Sequence, residues 1–136
     1  MLRSPFFCLL LSIFFLSCEE KIPVLNKSET TKKEAKLLQE KAEDQFSKSN
    51  YNSAFYYFNK SKVLFEISKD SANIVFNVIQ MATIQQINGD YYGSKETVTE
   101  ALPYTKKNKN HRSCINNALG IADKELSLYD DAIFYY

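Results

Sequence analysis

Few residues in this chain could do chemistry, and their types and spacing restrict what that chemistry is. There are three thiols, Cys8, Cys18 and Cys114, and one imidazole, His111. No Cys/His cluster has metal-ligand spacing, so no zinc site is expected. Gly89, Gly93 and Gly120 do not form a phosphate-cradling loop. Asp130 and Asp131 are adjacent and open a helical segment, where carboxylates offset the helix dipole. Lys106 to Arg112 is a basic run that reads as a solvated connector, with His111 a surface residue within it. Nucleophile, base and metal ligand are not brought together by any motif. The chain is therefore expected to be no enzyme, with no catalytic, cofactor-binding or metal residues and no cofactor.

One thiol does have a context. Arg3 is followed by a run from Phe6 to Phe15 that is apolar except for Ser12. Such a run is too short to cross a bilayer as a helix, which takes about 20 residues, but has the length of a signal-peptide core. It leads into Phe15-Leu16-Ser17-Cys18. This resembles a bacterial lipobox, in which a small residue precedes a cysteine whose thiol receives a diacylglycerol; Phe15 and Leu16 depart from the usual pattern. The resemblance implies a signal peptide over residues 1–17 and lipidation at Cys18. It places the protein in the cell envelope, anchored to a lipid bilayer through acylated Cys18, at the outer membrane on its periplasmic or surface face. Glu19-Glu20-Lys21 resembles the surface-export signal of Bacteroidetes lipoproteins. Cys114 would then be alone in the mature chain, which excludes a disulfide within one molecule, and is expected to be a small packed residue.

The elements that position everything else come from a repeat. Tyr51-x-x-Ala54-x-x-x-Phe58, Tyr91-x-x-Ser94-x-x-x-Val98 and Tyr129-x-x-Ala132-x-x-x-Tyr136 share one spacing and recur at intervals of 40 and 38 residues. Each copy follows a turn, and each turn follows an apolar-periodic segment. A period of that size marks an α-solenoid of helix hairpins, which presents a surface rather than a reaction centre. The chain has 3 Gly and 3 Pro in 136 residues, so long helices are permitted. Its net charge of +1 argues against nucleic acid as a partner.

The repeat resembles the tetratricopeptide (TPR) family. Small residues stand where helix A and helix B of each hairpin must approach closely: Ala42, Ala54 and Ser61; Ala82, Ser94 and Ala101; Gly120 and Ala132. Tyr51, Tyr91 and Tyr129 match the aromatic that opens helix B, and Leu119-Gly120 matches a Leu-Gly pair of helix A. Lys41 and Asn116 depart from the pattern, as do Gln45, Gln85 and Asp123, where Tyr is common. The fold implied is all-α, a solenoid of antiparallel hairpins with about two and a half repeats over residues 34–136. Residues 18–33 are expected to be a flexible tether, with Thr31-Lys-Lys-Glu34 as a capping box that starts the first helix.

Later helices are expected over residues 51–67, 72–87, 91–104, 113–126 and from 129. Asn88-Gly89-Asp90 is the clearest turn, and Pro103 ends the fourth helix. Because the sequence stops within the third repeat, it reads as a fragment of a longer array. Function follows the resemblance: a membrane-anchored interaction module that binds a protein or peptide in the groove of the A helices, lined by Phe46, Phe76, Ile79, Ile87, Gln39, Glu43 and Gln86. Gln39, Glu43, Ile79, Thr83, Asn117 and Ile121 do not reproduce the carboxylate clamp of one subfamily. The alternatives are the sensory N-terminal part of a TPR-containing transcriptional regulator or histidine kinase, and an accessory lipoprotein for nutrient capture.

Overall fold

The computed structural model describes residues 24–106 and 108–135, with side chains from residue 28 onward. These form six α-helices: α1 (Val24–Ser47), α2 (Tyr51–Ile67), α3 (Ser71–Ile87), α4 (Tyr91–Thr99), α5 (Lys109–Glu125) and α6 (Tyr129–Tyr135). A 3-10 segment, Leu102–Thr105, lies between α4 and α5. No strand occurs among the described residues. Each helix packs on the next in chain order, and α3 also packs on α5.

Four of the five connections close their helix by one device. Ser49, Lys69, Gly89 and Ser127 have φ of 60°, 56°, 77° and 62°. Each donates its N–H to the carbonyl three residues back, and the next residue donates to the carbonyl five back, at 2.8 to 3.1 Å. This double closure satisfies the last helical carbonyls and turns the chain sharply. The residue that completes it is also the N-cap of the next helix: Asn50, Asp70 and Asp90 for α2, α3 and α4. Asp70 and Asp90 accept from the N–H of Asn73 and Gly93 at 3.3 and 2.9 Å. Gly93 leaves room for that cap, since a Cβ there would strike the Asp90 carboxylate.

The fifth connection differs because of Pro103. A proline ring collides with the carbonyl four residues back and offers no N–H to it; that residue is Thr99, the last of α4. The helix therefore stops short of the expected residue 104 and the chain tightens into the 3-10 segment. Asn108 then caps α5, accepting from the N–H of Asn110 and His111 at 3.0 and 3.2 Å. The expected loop over 106–112 is thus largely the first turn of α5, which starts four residues before the expected position.

The start of the domain also differs from expectation. α1 runs back through Thr31 to Val24, so residues 24–33 of the expected tether are helical. The sequence from 24 to 33 has no Gly or Pro to stop it. Lys32 is held at 2.6 Å from Asp70, and Ala35 is fully buried, so this helix is packed from about its third turn onward.

The core lies between successive hairpins in two groups. Phe65, Ile74, Val75, Val78, Ala82, Val98, Ala101, Ile115 and Leu119 form one. Ala42, Ala54, Phe58, Met81 and Ile84 form the other, with Phe46, Tyr51, Phe55 and Tyr57 packed on it.

Candidate interaction surface

The small residues that mark the repeat all lie inside. Ala42, Ala54, Ser61, Ala82, Ser94, Ala101, Gly120 and Ala132 are buried. Ser61 shows how close the helices come: its hydroxyl donates to the Ala35 carbonyl on α1 at 2.8 Å. Phe58 and Val98 are fully buried beside them. The aromatic that opens each B helix is less uniform. Tyr51 packs edge-on to Phe46, ring centres 5.6 Å apart, and Tyr91 is half-buried. Tyr129 is 61% exposed; the residue placed like Phe46 before it is Lys124, which offers no ring.

Side-chain hydrogen bonds bridge α1, α3 and α5. Asn77 of α3 donates to Gln39 of α1 at 3.2 Å. Gln86 of α3 donates to Ser94 of α4 at 2.8 Å and to the Ala118 carbonyl of α5 at 3.1 Å. Gln39 also donates to Glu43 at 3.2 Å. Of the expected groove residues, Phe46 and Ile79 pack on the core, Gln39 and Glu43 bond to each other, and Gln86 is held by Ser94 and Ala118. Phe76, at 37% exposed, and Ile87, at 49%, remain open on α3. Asn117 and Cys114 are exposed on α5. Cys114 is not packed as expected: the buried stripe of α5 is Ile115, Ala118, Leu119 and Ala122, and Cys114 falls beside it.

Two features escape a reading of the sequence by motif. Asp123 is fully buried and accepts from Lys95 of α4 at 2.7 Å. Its second oxygen, Oδ2, has no hydrogen-bond partner in the protein. The hydrogen bond to Asp123 holds the Lys95 ammonium above the usual lysine range, with help from Tyr135 and Asp131 on α6. The equivalent residues Gln45 and Gln85 each bond across the turn to the next N-cap, Asn50 at 3.1 Å and Asp90 at 3.5 Å. In the third hairpin that N-cap position is Leu128, which cannot reciprocate. The signal available was this substitution of an apolar residue opposite an acid.

On the B helices, Tyr56 and Tyr57 meet edge-on with centres 5.2 Å apart, and Lys41 sits 4.3 Å from the Tyr57 ring centre. Among the described residues no group of His, Cys, Asp and Glu could hold a metal ion, and no helix is long and apolar enough to cross a membrane. Cys18 and the leader lie outside the described residues. No protein-family model, curated protein or solved structure matches the chain.

Proposed function

We propose that this chain is a TPR-like interaction module, without catalytic activity, held at a membrane by an acylated Cys18 and binding a protein or peptide along its A helices. One observation carries the reading: every small residue that the repeat register singles out is buried between helices. A register chosen at random on a helical bundle would send some of them to solvent. The open side chains of α3 and α5, chiefly Phe76, Ile87 and Asn117, then offer an apolar and amide-bearing surface suited to an extended or helical segment.

Two measurements test it. A photo-crosslinker placed in cells at position 76, 87 or 117 should trap a discrete partner that the same group at Tyr92, on a B helix, does not. Equal trapping at both faces, or none, removes the groove reading. Labelled palmitate should enter the wild-type chain and not Cys18→Ala; label retained in the variant removes the anchor.

A further inference from the structure

Antiparallel packing sorts the connections into two ends. One end gathers the stretch of α1 around Lys32, the α2–α3 turn, and the 3-10 segment with the start of α5, and the first two turns of α1 extend about 12 Å past it. Lys32 of α1 reaches Asp70 there at 2.6 Å, and one shallow hollow is lined by Ser71, Pro103, Tyr104, Lys106, Asn108 and His111.

This end is basic. Lys69, Lys106, Lys109 and Arg112 are exposed, and none forms an ion pair among the described residues. The carboxylates nearby are already engaged: Asp70 by Lys32, and Glu66 and Glu100 by Lys62 at 3.8 and 2.8 Å. Glu29 and Glu34 on α1 are exposed and only Lys33 stands between them to offset their charge, because Lys32 is taken by Asp70. Two apolar side chains stand among the cations, Ile67 at 64% exposed and Leu102 at 42%. The opposite end, formed by the other three turns, carries exposed Asp90, Glu125, Asp130 and Asp131. Its lysines, Lys48 and Lys124, each lie beside a carboxylate of their own helix, Asp44 and Glu125. Among these residues the first end has seven cations against five carboxylates and the second has two against five, so a chain of net charge +1 is polarised along its helices.

The anchor lies on the basic side. Cys18 precedes Val24 by six residues, which fully extended span only about 20 Å. Lys32, eight residues into α1, is about 12 Å further on. On the reading that Cys18 is acylated, the basic end is within reach of the headgroups, while the acidic end is one helix length, about 25 Å, beyond it. Lysine and arginine are drawn to anionic lipid, and exposed Ile67 and Leu102 are placed to enter the headgroup boundary. We infer that this end is a contact surface for an anionic bilayer, which turns the acidic end outward. The inference deepens the anchored-module reading, because the bilayer that carries the lipid also sets the direction in which the A helices face.

The chain has no Trp, so Leu102→Trp and Tyr129→Trp place one reporter at each end. The full chain is reconstituted in vesicles of equal parts phosphatidylglycerol and phosphatidylcholine containing brominated lipid, and co-sedimentation confirms attachment. Quenching at position 102 should exceed that at 129 several-fold. It should vanish in phosphatidylcholine alone and at about 1 M salt, where charge interactions decay within about 3 Å. Charge reversal (K106E/K109E/R112E) should lower it to the phosphatidylcholine level while the chain still co-sediments; the salt titration reads the same effect without any change to the fold. Equal quenching at both ends, none at either, or quenching indifferent to salt and lipid charge overturns the surface. Acylation is judged separately, by comparing palmitate labelling of the wild-type chain with that of Cys18→Ala.

Discussion

Lys95 on α4 donates to the carboxylate of Asp123 on α5 at 2.7 Å, and the acceptor is fully buried while the donor side chain is 34% exposed. The pair crosses the one joint that lacks the shared turn, so it ties together two hairpins whose connecting chain is irregular. Removing the lysine strands a carboxylate in the interior, which costs more than the pair itself contributes.

Lys95→Met should therefore lower stability by about 3 kcal/mol, the low end for breaking a buried pair, because Lys95 is partly solvated. Lys95→Met with Asp123→Leu should recover most of it. Urea midpoints compare the three proteins; a single variant as stable as wild type would mean that Asp123 is solvated. The raised lysine pKa has a defined sign: its contribution is complete below the unfolded value, about 10.4, and is lost as pH rises through the folded one. Wild type should lose stability in that alkaline window more steeply than the double variant.

Asp70 gives the acid counterpart. Burial raises its pKa, but the bonds from Lys32 and from Asn73 outweigh burial and hold the carboxyl below the usual range. A depressed pKa contributes stability that is present above the unfolded value, about 3.9, and lost as pH falls through the folded value. Asp70→Asn keeps a capping oxygen and loses this term. Its urea midpoint should fall less than that of wild type between pH 5 and pH 2; parallel curves would show that the ion pair with Lys32 contributes nothing.

The left-handed turn residues predict gains. Lys69 and Ser127 hold φ near 60° with a side chain in place, a conformation that costs roughly 1–2 kcal/mol relative to glycine. Lys69→Gly and Ser127→Gly should each raise the unfolding midpoint by up to about 1 kcal/mol equivalent after the extra entropy of glycine. Gly89→Ala should lower it. Differential scanning calorimetry checks the signs, and a loss in both glycine variants would contradict the turn geometry.

Ala54 is fully buried between α1 and α2. Ala54→Leu should cost about 1–3 kcal/mol through overpacking, whereas Ala72→Leu, at an exposed position of α3, should be nearly neutral. Thermal unfolding by circular dichroism separates the two; equal midpoints would place Ala54 at the surface.

The sequence by itself determined the six helical segments, the burial of the small residues and the left-handed Gly89. Each is a local or periodic property: side chains three and four apart share a helix face, and glycine takes positive φ at no steric cost. The Pro103 stop was legible for the same reason, although its reach back to Thr99 shortened α4 by more than the pattern suggested. Tertiary structure decided the rest. Thr31 looks like a helix start in isolation, yet α1 continues to Val24 while Lys32 and Ala35 are held against the second hairpin. Cys114 looks like a packing residue until α5 packs on its Ile115, Ala118, Leu119 and Ala122 face and leaves the thiol outside. Asp123 reads as an anomaly until Lys95, 28 residues earlier, is brought to it. The gathering of unpaired cations at one end and of an excess of carboxylates at the other is likewise invisible in a chain of net charge +1. It arises because antiparallel hairpins place every second connection on the same side, and only the folded packing determines which charges are already paired when they arrive there.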